Sequence, residues 1–99
     1  NTKDFFGRTL LHWAASTGEE KLTEMLLSQG ISKNAKDKLG RTALHYAAQY
    51  GHVNIMNTLI EEGCNLNMRD VFEETPLIVA AFSENTAGTS LLYEKGGVR

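Results

Sequence analysis

Apolar residues along this chain fall into short clusters at helical spacing, separated by glycine-marked turns. In the middle of the chain, Ala43, Leu44, Ala47 and Ala48 recur at the three- and four-residue intervals of one helix face. Thr42 stands just before them, where a hydroxyl can cap a helix, and Gly51 follows as a left-handed stop. Val53, Ile55, Met56, Leu59 and Ile60 then carry a second helix over about 53–62, which Gly63 ends. Ahead of the pair, Asp37-Lys38-Leu39-Gly40 has the chemistry of a turn, because aspartate can bond its own downstream backbone and glycine tolerates a positive φ. The same reading places helices over 9–17 and 20–29 in the preceding stretch.

This turn-helix-turn-helix arrangement occurs three times at a spacing of 33 residues. Asp4, Asp37 and Asp70 share one register, as do Thr9, Thr42 and Thr75; Leu11, Leu44 and Leu77; Ala14, Ala47 and Ala80; and Leu26, Leu59 and Leu92. A unit of this length cannot bury its own apolar face, so neighbours must stack and share a core. The expected architecture is an all-α solenoid forming one array over 1–99, with units over about 4–36, 37–69 and 70–99. Small alanine pairs let the first helices of adjacent units approach closely. Asn1-Thr2-Lys3-Asp4 aligns with Asn34-Ala35-Lys36-Asp37, and neither end carries a polar capping unit, so the chain reads as part of a longer array.

The third unit departs from the pattern. Gly40-Arg41 becomes Glu73-Glu74, the column of His12 and His45 becomes Ile78, Glu84 replaces Gly18 and Gly51, and Gly88 falls in the apolar column of Leu22 and Ile55. Glutamate costs more than glycine at a left-handed cap, and glycine inside a helix costs about 1 kcal/mol relative to alanine. This unit is expected to be the loosest, with a late, short second helix capped by Asn85 or Thr86. Gly88→Leu is expected to stabilise it.

The match to a known family is carried by Gly40-Arg41-Thr42-Ala43-Leu44-His45-Tyr46-Ala47-Ala48 with Gly51-His52 after it, and by Gly7-Arg8-Thr9-Leu10-Leu11-His12-Trp13-Ala14-Ala15. These segments resemble the ankyrin repeat and its Thr-Pro-Leu-His-x-Ala signature, of which Thr75-Pro76-Leu77 keeps the proline. The resemblance extends over the whole chain. It implies stacked helix-turn-helix units with hairpin-like finger loops, and a role in holding other proteins. It also gives Thr9, His12, Thr42, His45, Gly51 and His52 structural roles, the imidazoles tying neighbouring units together.

Composition narrows the functional classes. With 41% hydrophobic and 22% charged residues in 99, the chain can bury one modest core. No apolar run approaches the roughly 18 residues of a membrane span. A net charge of −2 argues against nucleic acid as the partner. The lone Cys64 excludes an internal disulfide and suits a reducing, intracellular setting, cytoplasmic or nuclear.

No residues assemble into a catalytic or metal-binding set. Zinc needs three or four converging ligands, and beyond His12 and His45 there are only His52 and a distant Cys64. Glu19-Glu20, Glu61-Glu62 and Glu73-Glu74 are adjacent pairs, which a helix turns about 100° apart and which cannot share a proton. The expectation is therefore a monomeric module that is not an enzyme and needs no cofactor or metal.

What remains is surface chemistry. Lys3, Lys36 and Arg69 form one column, Arg8 and Arg41 another, and Lys38 lies between them, all in fingers or at the starts of first helices. By the resemblance, fingers and the inner helix face make the contacts, a surface that also takes in Ser16, Thr17, Gln49, Val71, Glu74 and Ser83. The candidate partner-binding residues are Lys3, Phe5, Phe6, Arg8, Lys36, Lys38, Leu39, Arg41, Tyr50, Arg69, Phe72 and Phe82. Phe5, Phe6, Leu39 and Phe72 are either packing between fingers or anchors for a partner; Trp13 and Tyr46 are either partial core or the edge of that surface. Clustered basic charge suggests an acidic protein segment as partner, and Lys36→Glu with Arg41→Glu is expected to change association but not stability. Two other readings stay open: passive tethering within a larger enzyme, channel or effector, and binding of a phosphorylated or nucleotide ligand.

Overall fold

The computed structural model describes residues 7–95, in which six helices form three successive pairs. These are α1 (Leu10–Thr17) with α2 (Glu20–Ser28), α3 (Ala43–Tyr50) with α4 (Val53–Glu61), and α5 (Pro76–Phe82) with α6 (Thr86–Glu94). No strand occurs among the described residues, in keeping with an all-α repeat fold.

Each first helix starts at a threonine. The Thr9 and Thr75 hydroxyls accept from the backbone N–H of His12 and Ile78, both at 3.4 Å. In return His12 Nδ1 accepts from the Thr9 N–H at 3.0 Å, and His45 Nδ1 from the Thr42 N–H at 3.1 Å. Two donors that the helix start would otherwise orphan are thus satisfied. Pro76 opens α5 at the position where a missing N–H costs nothing.

First helices pack in one row, α1 on α3 and α3 on α5, and α2, α4 and α6 form a second row behind them. Ala14, Ala15, Ala47, Ala48 and Ala80 are wholly buried, the small side chains that permit this close approach. Leu11, Leu44, Ile55, Met56, Leu59 and Leu92 fill the space between rows. Ile78 and Ala81 are exposed where His12, His45, Ala15 and Ala48 are buried, because no described element lies beyond α5.

The turns before the first helices project as fingers. Asp37 Oδ1 accepts from the backbone N–H of Leu39 and of Arg41, both at 2.9 Å, and Asp70 Oδ1 does the same for Phe72 and Glu74. Adjacent fingers are joined by a hydrogen bond from Val71 N–H to the Leu39 carbonyl at 2.8 Å. Glycine at position 40 serves this approach: a Cβ there would stand 3.1 Å from Asp70 Cα and 3.2 Å from the Val71 nitrogen.

Two expectations for the third unit are overturned. Helix α6 is neither late nor short: it begins at Thr86, in register with Glu20 and Val53, and runs nine residues like α2 and α4. Asn85 is the reason, its Oδ1 accepting from Gly88 N–H and its Nδ2 donating to the Ala48 carbonyl of the preceding unit, both at 3.0 Å. Nor is Gly88 a gap to be filled. A Cβ on it would lie 2.3 Å from Asn85 Nδ2 and 2.9 Å from Met56 Sδ, so these neighbours already occupy the space. Gly88→Ala is therefore expected to lose about 1 kcal/mol or more in urea titration, although alanine is the better helix former by about that amount. A gain in stability would show that Asn85 can leave its cap without cost. Glu73 and Glu84 do carry strain, with φ of 64° and 58° where the other units have glycine.

Candidate protein-binding surface

The face formed by the fingers and first helices is built from three columns. One runs Arg8, Arg41, Glu74; the second Trp13, Tyr46, Val79; the third Ser16, Gln49, Phe82. They lie side by side, because Arg41 Nη1 donates to Gln49 Oε1 at 2.9 Å and its guanidinium sits 5.8 Å from the Tyr46 ring centroid. In the first unit the Arg8 guanidinium sits 4.7 Å from the Trp13 ring centroid, within range of a cation–π contact.

Arg41 turns out to be committed within the molecule. Its Nε donates to Asp70 Oδ2 at 3.2 Å and its Nη2 stands 3.7 Å from Glu74 Oε1. Asp70 is buried; burial alone would raise its pKa, but the N–H groups of Glu74 and Phe72 and the Arg41 guanidinium hold it below the usual value. Reversing Arg41 would strand that carboxylate, so the expectation that Lys36→Glu with Arg41→Glu spares stability is withdrawn. Tyr46 resolves as core: it is buried and its hydroxyl donates to Asp37 Oδ2. Burial, then the bond to Asp37, pushes its pKa well above the ordinary phenol value.

The remaining candidates divide clearly. Lys3, Phe5 and Phe6 lie outside the described residues. Lys36 and Lys38 are exposed on the second finger, and Arg69 is exposed beside Glu73, with Nη1 to Oε1 at 3.3 Å. Large apolar side chains also face solvent here: Leu39 and Phe72 on adjacent finger tips with Val71, Tyr50 at the end of α3, and Phe82 on α5, the last 76% exposed. Between finger and helix lies an open groove of about 260 Å³ lined by Arg41, Gln49, Glu74, Val79, Phe82 and Ser83. Val79 is the lining residue that sequence reasoning missed; its place in the column of Trp13 and Tyr46 was the available signal.

The histidines are structural ties. His12 Nε2 meets the Arg41 carbonyl and His45 Nε2 the Glu74 carbonyl, both at 2.8 Å and both across a unit boundary. His52 Nε2 reaches the Ser16 carbonyl of the preceding unit at 3.1 Å. Among the described residues no three His, Cys, Asp or Glu side chains stand close enough to hold a metal ion. Burial pushes the Cys64 thiol up to about 11, away from thiolate chemistry. Among the described residues no helix is long and apolar enough to cross a membrane.

Stacked helix pairs with projecting fingers define a repeat scaffold. A family model described as ankyrin repeats (3 copies) matches residues 1–70, and the chain belongs to the ankyrin repeat family. The match stops just before the third unit's substitutions at Glu73 and Glu74 begin. No curated protein sequence matches the chain. Ankyrin repeats are generally protein–protein interaction modules and typically non-enzymatic.

Proposed function

We propose that this array grips a segment of a partner protein along its fingers and first-helix face, as a monomer and without turnover or cofactor. The observation that carries the reading is the exposure of Leu39, Val71 and Phe72 on adjoining finger tips together with Phe82 beside the groove. A small domain rarely leaves large apolar side chains clustered in water without a use for them, and aromatic anchors rimmed by polar groups are what interface hot spots consist of. Lys36 and Lys38 on the second finger favour acidic residues in the part of the partner that lies against them.

Selection of a displayed library of random twelve-residue peptides on the immobilised protein tests this. Phe82→Ser is expected to weaken the selected peptides at least tenfold, whereas Tyr93→Ser, which removes an exposed aromatic on α6, is expected to leave them unchanged. The opposite pattern would move the binding surface to the second helices.

A further inference from the structure

We infer that the groove of the third unit takes a bulky apolar residue flanked by lysine or arginine, so that the partner segment is basic where it crosses α5. The inference rests on the protein-binding reading above and specifies the chemistry of the partner at one place in that surface.

The columns show why. From the first unit to the third, Arg8 and Arg41 give way to Glu74, and Ser16 and Gln49 give way to Phe82. The wall that is basic and polar at one end is acidic and apolar at the other. Val79 and Phe82 supply the apolar lining, and Phe82, at 76% exposure, has most of its ring still to be covered.

Charge on the segments that line the groove is unbalanced. Asp70, Glu73, Glu74 and Glu84 belong to this unit's finger and the end of its first helix, against the guanidinium groups of Arg41 and Arg69. Arg41 is held by Asp70 at 3.2 Å and lies 3.7 Å from Glu74; Arg69 is paired with Glu73 at 3.3 Å with both side chains largely in water. Four carboxylates against two cations leave a net of −2 on the segments that carry the groove's lining. An acidic partner residue would be repelled here, and a basic one attracted, which decides the sign of the complement.

Two of those carboxylates are also kept at a cost. Glu73 and Glu84 hold left-handed backbone conformations, φ 64° and 58°, at positions where the first two units have glycine. Returning both to glycine relieves strain and removes two negative charges next in sequence to the lining residues Glu74 and Ser83 at once. Stability and binding are therefore expected to move in opposite directions, a result that a merely structural role for these glutamates would not give.

Three labelled ten-residue peptides provide the probes: Leu-Phe flanked on both sides by lysines, the same peptide with glutamates in place of the lysines, and the lysine peptide with Ala-Ala in place of Leu-Phe. Titration by fluorescence anisotropy at low salt is expected to give at least tenfold tighter binding of the basic apolar peptide than of either other. The Glu73→Gly, Glu84→Gly double variant is expected to melt at a higher temperature while binding that peptide at least fivefold more weakly. Equal or tighter binding of the glutamate peptide, unchanged binding in the double variant, or no binding of the lysine peptide would each overturn the inference. Failure of the wider reading looks different: Phe82→Ser would then leave every peptide that binds unaffected. If the glutamate peptide binds and Phe82→Ser abolishes it, the face is right and its assigned partner chemistry is wrong.

Discussion

Truncating Leu44 to alanine is expected to remove about 2–5 kcal/mol of stability, a large part of what a domain of this size has, roughly 5–15 kcal/mol. Leu44 is 1% exposed on α3, the first helix flanked on both sides, by α1 and by α5. Its methyls therefore belong to a core that units share, and the cavity left behind cannot collapse without moving helices of other units. Leu77, the same column in α5, is only partly buried because no described element covers the far side. Leu77→Ala should accordingly cost distinctly less. Urea titration of the two variants beside the parent checks this. A loss below half a kilocalorie for Leu44→Ala would mean that no shared core exists at that column.

Acid is expected to weaken the fold before carboxylates begin to titrate. His12 and His45 are buried, and burial is the main reason their pKa values fall below 6.5, only partly offset by the carbonyls of Arg41 and Glu74 and by nearby aspartates. The geometry agrees: Nε2 meets a carbonyl and so carries the proton, while Nδ1 accepts from a threonine N–H and has no room for another. Below pH 6.5 the unfolded chain binds protons that the folded chain refuses. Stability is thus complete above 6.5 and falls as the pH drops, until the folded-state pKa is passed. Each histidine contributes a slope of up to about 1.4 kcal/mol per pH unit in that window. Urea midpoints at pH 7.5, 6.5 and 5.5 check it, with His45→Gln as comparison, since glutamine can also cap a helix from this position and does not titrate. That variant should show a shallower decline. A flat profile in the parent would mean that the two rings protonate equally well folded and unfolded.

Features whose chemistry closes within a few residues were legible in the sequence. The Thr9 and Thr42 caps, the stop at Gly51 and the Asp37 turn each use bonds spanning two to four positions, and all lie where the residue types indicate. What escaped depends on how units meet. The resemblance implies that His12 and His45 tie units together but does not name their partners; the contacts of His12 with Arg41, Arg41 with Asp70 and His45 with Glu74 all join residues 29 apart, four short of the repeat period. That offset is regular, yet it shows only once neighbouring fingers are in register. Without it Arg41 reads as a surface cation, when its charge is met by Asp70. Gly88 misled for a similar reason: the column marks an apolar site, but the atoms that fill it are Met56 and Asn85, one on the neighbouring unit and one three residues ahead. The candidate surface was legible in outline through Leu39, Tyr50, Phe72 and Phe82, while the groove beside Val79 needed the helix and finger side by side.

The most direct test of binding along the finger face is to follow backbone amide resonances of the ¹⁵N-labelled protein while adding a selected peptide. Large shifts are expected at Leu39, Val71, Phe72, Val79, Phe82 and Ser83, with α2, α4 and α6 unmoved. Shifts concentrated on the second helices, at Glu24, Asn57 and Tyr93 for example, with the fingers silent, would contradict the account.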